Sequence, residues 1–122
     1  MPEKKAVPTL PQLVDQVVTA RKDRLRILYA VFLAREAGAE AASAQIQRRV
    51  GLNDERFSAA LQHLAAGGYL ATAGDGLGLT LQHAGRVAVE HALVRPDREY
   101  GEFPALRSIL KPDLSLPRTL DS

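Results

Sequence analysis

The chain contains no cysteine. That absence excludes disulfide staples, zinc sites built on thiolates and thiol nucleophiles, and it is compatible with a reducing compartment. No apolar run approaches the ~18 to 20 residues of a membrane span, and the N-terminus, Met1 to Lys5, is charged, so a cytoplasmic protein without membrane attachment is expected. Charge of one sign is also lacking: 16 basic against 14 acidic side chains leave a net charge of +2. There is no internal repeat and no low-complexity segment. What remains is an ordinary globular composition, 46% hydrophobic and 25% charged over 122 residues, enough for one domain that folds without a metal or a crosslink.

Pro8 and Pro11 bracket a helix start, and neither proline nor glycine then interrupts the chain until Gly38. Leu10, Leu13, Val14, Val17 and Val18 recur at helical spacing, and Leu25, Leu28, Tyr29 and Phe32 continue the stripe, which predicts one long helix over about 11–37. Ile27, Val31 and Leu33 make its second half apolar on most sides, so the helix is expected to be buried on two sides. Ser43 is the expected N-cap of a short helix with Ile46 and Val50 inward. Gly51 supplies a turn and Asn53 caps the next helix, with Asp54 and Glu55 favourably placed in its first turn. Phe57, Ala60, Leu61 and Leu64 form that helix's core face, and Gly67-Gly68 stops it. Tyr69–Thr72 and Leu77–Leu81 read as short strands around the turn Ala73-Gly74-Asp75-Gly76. A last helix is expected over about 83–94. Beyond Arg95, four prolines in 28 residues allow only a short helix near 105–110. The expected organisation is an N-terminal arm (1–10), a domain (11–94) and a proline-containing tail (95–122) that is an arm, not a second domain.

Asp23-Arg24-Leu25-Arg26-Ile27-Leu28, Gly51-Leu52-Asn53, Phe57-Ser58-x-x-Leu61-x-x-Leu64-x-x-x-Gly68-Tyr69-Leu70 and Leu81-Gln82-x-x-Gly85-Arg86 together resemble winged helix-turn-helix regulators of the MarR, PadR and ArsR-like kind over residues 23–94. The resemblance implies a mainly α fold with a small β-hairpin wing and a long N-terminal helix. It also implies a third helix in the major groove of double-stranded DNA, a wing on the flanking backbone and flanking helices that dimerise. The function expected is therefore a dimeric DNA-binding transcriptional regulator.

Within that frame Arg48 and Arg49, with Gln45, are expected at backbone phosphates, since the first helix of such a motif crosses the backbone. Arg56, Ser58, Gln62 and His63 are expected on or beside the groove-facing surface. Three features depart from the family. The face opposite Phe57, Leu61 and Leu64 holds Glu55, Ala59, Gln62 and Ala66, of which Gln62 alone is a residue suited to base edges. The wing tip carries Asp75 and neither Arg nor Lys, and Gln82 stands where the family closes the wing with Thr or Ser. Residues 43–94 balance four basic against four acidic side chains, whereas phosphate affinity comes mainly from Lys and Arg. Positive charge lies elsewhere, in Arg21, Lys22, Arg24 and Arg26 and along the tail. These features sustain an alternative, a winged helix that binds a partner protein through Asp54, Glu55 and Ala59.

Other signals have plain readings. His63, His83 and His91 match no zinc spacing. Glu90 and His91 are adjacent on a helix and point apart, so they do not converge as acid and base. Gly74-Asp75-Gly76-Leu77-Gly78 lacks the Lys-Ser/Thr of a phosphate loop and suits a hairpin turn. No nucleophile, base and orienting acid form a recognisable set, so neither enzymatic activity nor a metal or cofactor is expected. The surplus of apolar faces on the first helix predicts a homodimer through it.

Overall fold

The computed structural model describes residues 9–73 and 77–110. The expected N-terminal arm up to Pro8, the hairpin tip with Asp75, and the tail from Lys111 onward lie outside the described residues. The fold is mainly helical with one small antiparallel hairpin. The elements are α1 (Leu10–Glu36), α2 (Ser43–Val50), α3 (Asp54–Ala66), β1 (Leu70–Thr72), β2 (Leu79–Leu81), α4 (His83–Val94) and α5 (Arg107–Leu110). No helix among the described residues is long and apolar enough to cross a membrane.

α1 begins where sequence places it, and the reason is a reciprocal cap. The Gln12 amide donates to Thr9 Oγ1 at 3.3 Å, and the Thr9 amide donates to Gln12 Oε1 at 2.8 Å, which satisfies two of the donors a helix start leaves open. Its second half is the centre of the molecule: Leu25, Ile27, Leu28, Ala30, Val31 and Ala34 are buried. α2, α3, α4, β2 and α5 all pack on it. Its first half differs from expectation. Residues 11–19 are exposed, and the stripe of Leu10, Leu13, Val14, Val17 and Val18 is 73, 44, 52, 58 and 39% exposed. At 1.5 Å per residue this stripe extends the apolar face of Leu25 and Leu28 by about 12 Å past the domain body.

α2 and α3 are joined by a turn at Gly51, whose backbone is left-handed (φ 71°), a conformation that an L side chain strains. Asn53 caps α3 as expected, its Oδ1 accepting from the Arg56 amide at 2.8 Å. Ser43 does not cap α2. It is the first helical residue, and Ala42 precedes it without a side-chain cap. The Ser43 amide donates instead to the Leu77 carbonyl (2.7 Å), and the Leu79 amide donates to the Ala41 carbonyl (2.8 Å). Residues 41–43 thus run beside β2 through an isolated bridge, Ala42 with Gly78, a long-range pairing that local caps do not encode.

In the hairpin Leu70 faces Leu81, Ala71 faces Thr80 and Thr72 faces Leu79. Leu70, Leu79 and the half-buried Leu81 share the face turned to the core, with Thr72 at its exposed end, and the exposed Thr80 lies on the opposite face, as the two-residue period of a half-covered ribbon requires. α4 starts immediately afterwards, pressed onto the hairpin: a Cβ on Gly85 would stand 2.3 Å from the Tyr69 carbonyl oxygen, so only glycine fits.

After α4 the chain folds back. Tyr100 and Phe103 exchange backbone hydrogen bonds (3.1 and 2.9 Å), and the Arg107 amide donates to the Pro96 carbonyl at 2.9 Å. Phe103, Leu106 and Ile109 enter the same core as α1, and Phe103 meets Tyr69 edge to face with ring centroids 5.0 Å apart. Residues 95–110 are therefore an integral layer of the domain. Pro96 and Pro104 prevent a long helix there, as the sequence requires, but three apolar residues suffice to anchor the segment.

Candidate functional site

α3 is the element with a free side. Phe57, Ala60 and Leu64 bury its inner face, and Glu55, Ser58, Ala59, Gln62 and Ala66 are exposed on the outer one. Gln47 fixes the approach of α2 to α3: its Nε2 donates to the Leu52 carbonyl at 3.1 Å and to Asp54 Oδ1 at 2.7 Å. This amide was not a sequence-predicted site residue, and the pairing holds the turn at a set angle while engaging the first acid of α3.

The seven sequence-predicted residues fall into two groups. Gln45, Arg48 and Arg49 share the solvent face of α2, and Ser58 and Gln62 lie on the outer face of α3, all exposed. No hydrogen bond or ion pair engages these five side chains among the described residues. Arg49 also borders a recess of about 450 Å³ with Arg26, Tyr29, Leu33 and Leu110.

Arg56 and His63 are engaged inside the molecule. Arg56 grips Asp23 of α1 through two hydrogen bonds, Nε to Oδ2 at 3.0 Å and Nη2 to Oδ1 at 2.7 Å. Arg26 adds a third from Nη1 to Oδ1 at 3.2 Å. The Asp23 side chain is only 4% exposed, so two guanidinium groups compensate a carboxylate removed from water. The hydrogen bond to Asp23 raises the Arg56 pKa further above its already high value, against a smaller lowering by burial.

His63 meets Glu102 of the returning segment, Nε2 to Oε1 at 2.6 Å. The same oxygen lies 3.4 Å from Arg24 Nε, a charge contact without hydrogen-bond alignment. Arg21 Nε donates to the Glu102 backbone carbonyl at 2.6 Å, and its guanidinium reaches Glu99 at 3.8 Å. The Tyr69 hydroxyl is also beside Glu102: burial first, and the hydrogen bond to this carboxylate second, hold its pKa above the ordinary phenol value. Between the first half of α1 and this flank of α3 lies a cavity of about 470 Å³, bordered by Gln16, Thr19, Asp23, Arg24, Arg56 and His63 among others.

Asp23 and Glu102 were thus missed as organising residues. Asp23 left a signal, since it stands at i, i+4, i+7 and i+11 with Ile27, Ala30 and Ala34, on the buried side of α1. Glu102 left none, because its partners are 39 and 81 residues away in sequence.

Of the groups that bind metals, no cluster of three His, Asp or Glu occurs among the described residues. His91 stacks on Tyr100, with centroids 4.3 Å apart. No protein-family model, no curated protein and no solved structure matches the chain.

Proposed function

We propose that the chain is a winged helix-turn-helix protein that binds double-stranded DNA as a homodimer and acts in transcriptional regulation. The observation that carries the reading is the outer face of α3, which nothing in the described chain covers. The helix is held rigidly from behind by α1 and from the side by the Gln47 pairing. Two features support it further. The order of helix, bridge at Ala42, helix, turn, helix and hairpin is that of a winged helix, and the hairpin stands at the C-terminal end of α3, where a wing flanks a recognition helix.

In this reading Ser58 and Gln62 approach base edges, and Gln45, Arg48 and Arg49 hold phosphates. Arg56 orders α3 against α1. The exposed stripe from Leu10 to Val18 is the dimer surface, since an apolar helical stripe that runs on from a core is covered most simply by its symmetry mate. Two copies of α3 then address half-sites about 34 to 36 Å apart.

Titration of a random duplex of about 30 base pairs at low and moderate salt tests the reading, because phosphate neutralisation makes affinity fall as salt rises. Binding with that slope, abolished by Arg48→Ala with Arg49→Ala, supports it. Absence of binding at low salt favours a protein-interaction module instead, for which the acidic start of α3 at Asp54 and Glu55 is the specific observation.

A further inference from the structure

The cations beside α3 are not free, and the way in which they are occupied has a direction. His63 on α3, Arg24 and Arg21 on α1 and the Tyr69 hydroxyl at the start of the hairpin converge on one residue, Glu102. The Arg24 guanidinium and the His63 ring, from two helices, share a single carboxylate oxygen, and a hydroxyl stands beside the same group. Donors spread in this way around one anion also suit the oxygens of a phosphodiester.

We propose that Glu102 is a built-in surrogate for a DNA backbone phosphate, which occupies the His63 flank of α3 and competes with duplex DNA for it. The proposal rests on the DNA-binding reading and deepens it. Three observations carry it. The His63 and Glu102 side chains are 46 and 31% exposed, so a competing anion reaches them from solvent. Glu102 sits between Gly101 (φ 56°) and Phe103, which is 2% exposed in the core, so its side chain can swing away while the segment stays anchored. His63 adjoins Gln62 on the same helix, so a duplex seated on the outer face of α3 brings its backbone to this edge. Arg24, whose side chain is 14% exposed, supports the seat from below, and the His63 ring makes the direct contact.

The test compares Glu102→Gln, Glu99→Gln and His63→Gln with the natural chain in titrations of a fluorescent random duplex across a salt series. Glu99 is the control for charge alone: its pairing is limited to Arg21 at 3.8 Å and it is 69% exposed. Glu102→Gln is expected to bind about three- to tenfold tighter at ~0.1 M salt and to steepen the salt slope by about 1.8, one more phosphate for each protomer of the dimer, while Glu99→Gln changes affinity by less than about twofold. His63→Gln alone is expected to leave binding nearly unchanged, because the residue is masked, and in the Glu102→Gln background to abolish the gain.

Equal effects of Glu102→Gln and Glu99→Gln overturn the proposal while leaving DNA binding intact. So does a strong loss from His63→Gln alone, which means that His63 already contacts DNA in the natural chain. If neither the natural chain nor Glu102→Gln binds DNA, both readings fall. If Glu102→Gln does not fold by circular dichroism, Glu102→Ala takes its place, with the same gain expected and the same lack of difference from Glu99→Gln overturning the proposal.

Discussion

Replacing Arg56 by alanine should destabilise the domain more than replacing its partner Asp23, and the difference in exposure sets the order. Without Arg56, the Asp23 carboxylate, 4% exposed in the natural chain, keeps Arg26 alone within reach at 3.2 Å. Removing one partner of a buried pair costs about 3–5 kcal/mol. Retention of Arg26 and the partial exposure of Arg56, 45%, bring the expectation to about 2–4 kcal/mol. Without Asp23, by contrast, Arg56 and Arg26 both turn to water, and the loss is that of charge-assisted hydrogen bonds alone, about 1–2 kcal/mol. For a chain of this size 1 kcal/mol is roughly 4 °C in Tm, so Arg56→Ala should lower Tm by about 8–16 °C and Asp23→Ala by about half as much. Urea and thermal unfolding followed by circular dichroism, with the double variant closing the cycle, measure both. Equal costs, a reversed order or a loss under about 0.5 kcal/mol for Arg56→Ala would refute the argument that Asp23 is the buried charge and Arg56 its compensation.

Gly85→Ala forces a Cβ to 2.3 Å from the Tyr69 carbonyl, whereas Gly78→Ala meets its nearest neighbour at an ordinary 3.5 Å. The first should cost about 1–3 kcal/mol or more by overpacking and the second much less, as read by chemical denaturation. Tyr69 holds its proton more tightly folded than unfolded. Its contribution is therefore fully present below the unfolded phenol value near 10 and falls as pH rises through the folded value. Stability measured from about pH 9 to 11 should decline more steeply in the natural chain than in Tyr69→Phe, and parallel curves would contradict the assignment. Val14→Glu with Val17→Glu places charges on a stripe whose two valines are 52 and 58% exposed, so it should leave the unfolding transition of one protomer nearly unchanged while converting the proposed dimer to monomer in sedimentation. A dimer that survives both changes places its interface elsewhere.

How much was readable in sequence divides along the range of the interactions. The helices and the hairpin were set by local signals: Pro8 and Pro11 at the first helix start, the Asn53 cap, Gly51, and the every-second-residue spacing of Leu79 and Leu81. What local signals missed is long-range. Ser43 carries the chemistry of a cap, yet its amide answers to Leu77. Residues 95–110 carry the prolines of an arm, yet Phe103, Leu106 and Ile109 are worth more buried than exposed, and that outweighs the ordering cost of a proline-rich segment whose unfolded state is already restricted. For the site, exposure of Gln45, Arg48, Arg49, Ser58 and Gln62 followed from helical periodicity alone. Arg56 and His63 have the same residue types and helix positions as free contacts. Their occupation depends on carboxylates that sequence distance hides.

In the proposed DNA-binding reading, that occupation limits what can hold the duplex. A face whose flanking cations are paired internally gains little from non-specific phosphate attraction, so affinity must depend on the few free cations and on two copies acting together. A dimer that uses Arg48 and Arg49 in each protomer neutralises about four phosphates and should show a salt slope of about −3.6 on logarithmic axes. Removal of the Glu102 charge leaves Arg24 without its counter-charge in each copy and moves the slope toward about −5.4. A natural chain near the first value, with Glu102→Gln near the second, means that the masked flank is opened by removing one carboxylate. A slope near −1.8 means a single copy on the duplex, and then the apolar stripe of α1 serves something other than DNA-bound pairing.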